Sequence, residues 1–236
     1  MSVSKEALDA LRQVSTATLT TQLFKRGLRN VFIQGVRPVN PSVGTMAGPA
    51  VTLRYIPARE DIDTLDVFKN PDHPQRQTIE AIPAGAVLVM DCRGDTSAAS
   101  AGAILVTRME VRSAAGLVTD GGLRDCPEIA RMALPVFCGA PSAPLNLVRH
   151  HAVDANRPIA CGGVPVYPGD IVVGDGEGVV VVPAHLAEEV ARDALPQEEY
   201  ERFAIEQVRQ GRGLKGLYPP SEATLTEYEA WRRRQG

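Results

Sequence analysis

Arg124 and Asp125 stand side by side within Gly116-Leu-Val-Thr-Asp-Gly-Gly-Leu-Arg-Asp-Cys-Pro-Glu128. A guanidinium is a planar fork suited to a carboxylate. A carboxylate offers the hard oxygens that a magnesium-class cation takes. A site holding both could bind a small keto acid by its carboxylate and chelate its keto oxygen on a metal, which points to chemistry next to a carbonyl. The same residues also read as a plain helix start, with Asp125 as N-cap, Pro127 in the first turn and Glu128 three residues on. Capping accounts for Asp125 and Glu128. It does not account for Arg124, whose positive charge is unfavourable near a helix N-terminus.

The elements that position this pair follow from the flanking pattern. Leu117 to Thr119 reads as a buried strand, with Gly121 and Gly122 as a turn after it. Upstream, Ala86 to Asp91 is a short apolar run typical of a buried strand, and Arg93-Gly-Asp95 is the loop at its end. Small residues from Ala98 to Gly102 open a helix over 103–114. Strand, helix and strand make a βαβ unit, and α/β proteins bind ligands at the C-terminal ends of such strands. Asp95 and the Arg124-Asp125 pair both fall on that rim.

The rest of the chain frames this unit. Residues 4–27 read as helical with a break near Val14-Ser15-Thr16, where Ser15 or Thr16 can cap a second helix. Residues 50–56 alternate as a strand ended by Pro57, 61–68 read as a short helix, and 70–74 as a turn-rich loop. From Val136 to Pro183 the chain is almost all strand, closing around an Asp175-Gly176 turn. We read Asp175 there as a turn residue rather than a metal ligand, and His150-His151 as a surface loop. Residues 184–211 read as a charged helix broken at Pro196, followed by a final polar helix with Trp231. The acidic run Glu198 to Glu201 reads as a solvated face, or as carboxylates offered to a neighbouring subunit.

Composition sets the outer bounds. The chain has 236 residues, 44% apolar and 22% charged, with a net charge of −3. That is ordinary for a soluble globule, with no bulk pull toward nucleic acid or anionic membrane. No apolar run reaches the roughly 18 residues of a membrane span, and Met-Ser-Val-Ser-Lys has no signal-peptide core. The expectation is a cytoplasmic protein without nucleic-acid or membrane partners. Cys92, Cys126, Cys138 and Cys161 form no CxxC pair, so they read as reduced thiols. Cys126 lies beside the pair but has no nearby histidine to activate it as a nucleophile. No glycine-rich loop with an acidic ribose ligand suggests a methyltransferase cofactor site.

Three stretches in order, Ala84 to Asp91, Gly116 to Glu128 and Pro168 to Pro183, resemble the RraA-like family. That family holds the regulator of ribonuclease activity A and the class II 4-hydroxy-4-methyl-2-oxoglutarate aldolases. The resemblance spans about residues 10–215. It implies a layered α/β domain like the phosphohistidine swivelling domain, here one domain over 1–236 with N-terminal helices (1–28) and a C-terminal helical extension (184–236). It also implies a homotrimer or hexamer with an active site between subunits. The aldolase members carry a glycine, twenty residues, Arg-Asp, two residues and an acid. Arg124, Asp125 and Glu128 match the second half. Twenty-one residues separate Gly102 from Arg124, and Ala103 occupies the position with twenty between.

By this resemblance Asp125 holds Mg²⁺ or Mn²⁺. The backbone around Gly102, Ala103, Ile104 and Leu105 takes the carboxylate of a small 2-oxo acid at a helix start, and Arg124 stabilises the developing charge. Asp95 and Glu201 are the candidates for a carboxylate that polarises a water for proton removal. The expected activity is metal-dependent retro-aldol cleavage giving pyruvate, with oxaloacetate decarboxylation on the side. A non-catalytic regulator that binds a ribonuclease or helicase, and a dehydratase of sugar-derived keto acids, are the alternatives.

Overall fold

The computed structural model describes residues 3–234. Met1, Ser2, Gln235 and Gly236, at the outer ends of the expected terminal segments, lie outside the described residues. The elements in chain order are α1 (Lys5–Leu11), α2 (Thr16–Lys25), β1 (Phe32–Ile33), β2 (Arg37–Pro38), β3 (Met46–Pro57), α3 (Pro74–Ala81), β4 (Val87–Asp91), β5 (Ala99–Ala101) and α4 (Ala103–Val111). There follow β6 (Gly116–Leu123), α5 (Cys126–Ile129), β7 (Val136–Pro141), β8 (His150–Ala155), β9 (Ile159–Cys161), β10 (Val164–Val166), β11 (Ile171–Gly174), β12 (Val179–Val182), α6 (Ala187–Arg209) and α7 (Glu222–Arg232). This is a mixed α/β architecture with helices at both ends.

The sheet runs β1-β12-β11-β3-β4-β6-β7-β2, with β5 added to β6, β8 added to β3, and a separate β9–β10 ribbon. β3, β4, β6 and β7 are mutually parallel, and β11, β12 and β1 continue antiparallel from the first half of β3. Parallel strands covered on both faces are apolar at every position, and β4 is buried throughout. Its alternation sorts the two faces. Leu88 and Met90 join the layer under α3 and α4. Val87 and Val89 join the layer under β9 to β12. Burying each such side chain contributes about 1.5–3 kcal/mol.

The expected βαβ unit is present, with β4 and β6 as parallel neighbours and α4 between them in sequence. The expected glycine turn is not. Gly121 and Gly122 both lie inside β6, Gly121 within the register irregularity between Thr119 and Gly122 and Gly122 where pairing resumes. They are glycine because of crowding: a Cβ on Gly121 would meet Cys92 Sγ at 2.8 Å, and one on Gly122 would meet Ser142 Cβ at 2.6 Å.

The helical layer is built by caps. Ser15 accepts a hydrogen bond from the Thr18 N–H at the start of α2, as the sequence suggested. Asp175 forms the expected turn and also binds the Thr16 N–H at 2.8 Å. Leu11, Leu19 and Leu23 pack with Val190 and Ala194 over β11 and β12. α6 is continuous through Pro196, contrary to the expected break. The missing N–H costs one bond. The helix survives because Val190, Ala191 and Ala194 are buried before the proline and Tyr200, Phe203 and Ala204 after it. In the same turn Gln22 donates to the Asp193 carbonyl at 3.2 Å. The expected helix over 61–68 is instead a 3₁₀ turn over Leu65–Lys69.

The adjacent histidines are not a surface loop; they lie on β8, and His150 is fully buried. Its Nε2 sits 3.2 Å from the Ala98 carbonyl and its Nδ1 3.4 Å from an Arg93 Nη2, with the ring tilted against Tyr55. His151 pairs with Asp63 at 2.6 Å. Burial depresses the His150 pKa below its ordinary 6.5, Arg93 and Arg149 push it the same way, and the Ala98 carbonyl and Asp95 oppose them. A depressed folded value means that the unfolded chain takes the proton first. The stability from neutral His150 is therefore full above 6.5 and falls as pH drops through the folded value. Urea titrations between about pH 7.5 and pH 5 should show stability falling with acid, and less steeply in His150→Gln. Equal slopes in the two proteins would refute this assignment.

Candidate active site

Two chain crossings meet at the C-terminal end of the parallel strands. β5 pairs with the end of β6, setting Ala99 opposite Gly122 and Ala101 opposite Leu123. One residue further, the Arg124 N–H donates to the Ala101 carbonyl at 3.1 Å. β5 then turns through Gly102 into α4, while β6 turns through Arg124 and Asp125 into the short α5. The two turns touch.

Asp125 adopts the left-handed conformation, with φ 59° and ψ 28°. Asp tolerates this region better than most residues. It stands at the N-cap position of α5, but its side chain does not cap that helix. The left-handed turn carries the carboxylate back to α4, where Oδ2 accepts from the Ala103 N–H at 3.1 Å. The capping box expected from Asp125 and Glu128 is thus replaced by a cap supplied to a different helix, and Glu128 pairs with Arg131 instead. Arg124 Nε lies 3.5 Å from the same Oδ2, and both side chains are about half exposed.

Gly102, the N-cap of α4, has no side chain to cap with. A Cβ there would meet Asp125 Oδ2 at 2.7 Å and Arg124 Cγ at 2.8 Å. The glycine is therefore the space into which the pair folds. The Leu105 and Val106 N–H groups bond to the Gly102 carbonyl. Ile104 keeps a backbone N–H without a partner among the described residues, and its side chain is 82% exposed. Gly102, Ile104, Leu105, Arg124 and Asp125 all line one open cavity of about 250 Å³.

The other wall comes from residues that sequence reading passed over. Leu65 and Phe68 enter from the 3₁₀ turn, Gln75 and Arg76 from α3, and Leu145 and Asn146 from the segment before β8. Gln75 ties this wall to the first, donating to the Ser100 carbonyl at 2.6 Å and to the Tyr55 hydroxyl at 3.0 Å. The available signal was His73-Pro74, since proline is favoured at the first position of a helix. It placed a helix start at 74 and so a first turn carrying Gln75 and Arg76.

The two proposed accessory carboxylates lie elsewhere. Asp95 is in the loop after β4, bound by the Ser97 N–H and hydroxyl, and these bonds hold its pKa below the usual carboxylate value. Glu201 is on α6, accepting from Gln197 at 2.9 Å and Thr18 at 3.3 Å. Neither lines the cavity. Its acidic neighbours are also engaged within the chain, Glu198 with Ser15 and Glu199 with Arg232. All four cysteines are free thiols. Burial raises the pKa of Cys126, whose thiol donates to the Leu123 carbonyl at 3.3 Å, which is unfavourable for a nucleophile.

Among the described residues no three His, Cys, Asp or Glu side chains converge on one point. The donor set is the single Asp125 carboxylate. That suits Mg²⁺ or Mn²⁺, which accept one or two carboxylates and fill the shell with water and substrate. It does not suit a structural zinc site. No described helix is long and apolar enough to cross a membrane.

A cavity at the C-terminal ends of the parallel strands is thus lined by the adjacent Arg124 and Asp125 and by Ile104 at the start of α4. The profile of the RraA-like family, Aldolase/RraA, matches residues 14–181, and the chain belongs to that family. A Halalkalibacterium halodurans protein, provisionally named a 4-hydroxy-4-methyl-2-oxoglutarate aldolase, is 33% identical over 172 residues, covering 73% of this chain and 75% of its own. Streptomyces coelicolor RraAS2, described as an unusual member of the RNase ES inhibitor RraA protein family, superposes with a TM-score of 0.76 at 29% identity, over 86% of this chain and 98% of that one. An uncharacterized protein of Pseudomonas syringae pv. tomato superposes at 0.78 with 26% identity, over 92% and 99%.

Gly102→Ala tests the close approach. The backbone there, at φ −142°, accepts alanine without strain, so melting should change little. The added methyl displaces Arg124 and Asp125, and misplacement of about 1 Å can cost on the order of 10²-fold in rate. A Gly102→Ala protein that turns over substrate like the wild type would show that the pair does not need this packing.

Proposed function

We propose that the protein is a divalent-metal-dependent carbon–carbon lyase acting on a short 2-oxo acid. The favoured reaction is retro-aldol cleavage of the 4-hydroxy-4-methyl-2-oxoglutarate type, releasing pyruvate, with decarboxylation of oxaloacetate as a side activity. One observation carries this reading: Arg124, Asp125 and Ile104, whose N–H has no partner among the described residues, line the same small cavity. The aldolase name of the Halalkalibacterium relative agrees with it.

Asp125 would hold Mg²⁺ or Mn²⁺ through its carboxylate, and the cation supplies Lewis acidity to the 2-oxo group. The Ile104 N–H, in the first turn of α4, suits one oxygen of the substrate carboxylate. When the C3–C4 bond breaks, its electron pair passes to C3 and is shared with the 2-oxo oxygen. Arg124 faces that growing negative charge with a fixed positive one. A proton then returns to C3 to give pyruvate.

The two reactions differ in one proton. Retro-aldol cleavage removes the proton of the C4 hydroxyl, whereas oxaloacetate loses CO₂ with no base. Among the described residues Asp125 is the only carboxylate of its own chain that lines the cavity; Asp95 does not reach it, and Glu201, on α6, would act only on the cavity of a neighbouring copy. We assign the base to a water polarised by a carboxylate of a second copy, in a homotrimer or hexamer that closes the cavity mouth.

Pyruvate release should be measured from oxaloacetate and from 4-hydroxy-4-methyl-2-oxoglutarate, with Mg²⁺, with Mn²⁺ and with chelator. Both substrates should give pyruvate only with metal. Asp125→Asn keeps an oxygen for the Ala103 N–H and tolerates the left-handed turn. It should therefore stay folded while losing nearly all activity. Arg124→Ala should lower kcat by about 10²-fold, more than it raises KM. Full activity in Asp125→Asn would sink the metal role. No pyruvate from a folded wild-type oligomer would turn the reading to a regulator or dehydratase.

A further inference from the structure

The cavity is electrostatically unbalanced, and the excess charge comes from α3. Its lining carries two guanidinium groups, Arg76 and Arg124, against the one carboxylate of Asp125. Arg124 lies near that carboxylate. Arg76 does not have one of its own. On its helix the acid one turn on, Glu80, is held by Arg108 at 2.6 Å. Before the helix, Asp72 accepts from Gln77 and Asp66 pairs with Lys69. Among the described residues Arg76 forms no ion pair. It is held instead over the Phe68 ring, with Cζ 4.8 Å from the centroid.

A guanidinium stacked on an aromatic ring keeps its edge free and loses little freedom when it binds. An Arg edge matches a carboxylate in bidentate fashion. A second donor stands in the same lining. Asn146 is 9% exposed and its Nδ2 has no hydrogen-bond partner. A buried amide donor without a partner is destabilising, and a ligand oxygen relieves that. The same lining also carries apolar side chains, Leu65, Phe68, Leu105 and Leu145.

We infer that Arg76, assisted by Asn146, is the subsite for a second, distal carboxylate, so that the cavity selects 2-oxo dicarboxylates over 2-oxo monoacids. This rests on the reading of the site as one for 2-oxo acids. Asp125 with its cation and Ile104 take the 2-oxo acid head, and Arg76 takes the far end. Arg76 is then a specificity residue, remote from the bond that breaks.

Calorimetric titration of the full-length protein with Mg²⁺ separates the possibilities. Pyruvate presents the head alone, and 2-oxoglutarate presents the same head with a distal carboxylate. The wild type should bind 2-oxoglutarate at least about tenfold more tightly, as a charge-assisted bidentate pair provides. Arg76→Met should bring 2-oxoglutarate down to the pyruvate level and leave pyruvate unchanged. Arg76→Lys should restore part of the difference, because it returns the charge without the fork. Equal wild-type affinity for the two acids, or a loss in Arg76→Met shared equally by both, overturns the distal subsite alone. Wild-type protein that binds neither acid overturns the 2-oxo acid reading, and the subsite with it.

Discussion

The site depends on one contact between two turns. Asp125 leaves β6 in a left-handed conformation and delivers its carboxylate to the first N–H of α4, across a glycine with no room for a side chain. The left-handed backbone costs roughly 1–2 kcal/mol for a non-glycine residue, and a good N-cap returns about 0.5–2 kcal/mol. The two nearly cancel. The half-exposed Arg124–Asp125 approach at 3.5 Å adds little, since such surface pairs contribute about 0–1 kcal/mol. The geometry is therefore close to neutral for stability. What it secures is direction: one carboxylate oxygen is fixed, a guanidinium lies beside it, and α4 begins at the cavity with its Ile104 N–H unclaimed among the described residues.

The scaffold makes that contact possible at low cost. β4 and β6 are buried along their whole length and β7 over Val136 to Cys138, which holds the strands beneath the site in place. β5 zips onto the last residues of β6 and holds Gly102 against Arg124. Thr119 and Ser100 share a buried hydroxyl contact at 2.9 Å, and Ser100 donates to the Gly122 carbonyl. These bonds stiffen the stretch just before the site. The opposite wall is tied in by Gln75, whose amide reaches the same β5 backbone. Rigid strands thus carry the charged pair, while the 3₁₀ turn and the start of α3 carry the apolar and cationic wall.

The sequence made some of this legible and concealed the rest for identifiable reasons. The βαβ unit, the Ser15 cap and the Asp175 turn follow from apolar runs and local capping chemistry, and the structure contains them. Gly121 and Gly122 misled because glycine marks both turns and close packing. Only the neighbouring Cys92 and Ser142, distant in sequence, decide between these. Pro196 misled because a proline penalty of about 3 kcal/mol is outweighed by apolar burial on either side of it. His150 was hidden because its burial depends on strand β8, which a His-His pair does not announce. At the site, Asp125 next to Arg124 was readable. That Asp125 caps α4 rather than α5 was not, because its left-handed turn and the contact with Gly102 are tertiary. Arg76 entered the cavity wall through the fold alone.

The charge count of the cavity bears on what the site can do by itself. Without a cation, Asp125 and the two arginines leave the lining with one net positive charge. With a divalent cation the lining gains two more, and an anionic substrate becomes the natural counter-charge. A cation and Arg124 beside the carbonyl would favour any step that gathers negative charge there, while Arg76 would hold the far end of the substrate. The same charges disfavour a step that needs a base, because a base in such a field is a weaker proton acceptor. Decarboxylation asks only for the first kind of step. Retro-aldol cleavage asks for both, and a single chain supplies only the first from the groups lining its cavity. In the proposed reaction a carboxylate entering from another copy would lower the positive field and take up the proton through the polarised water, which would link assembly to aldolase chemistry through electrostatics.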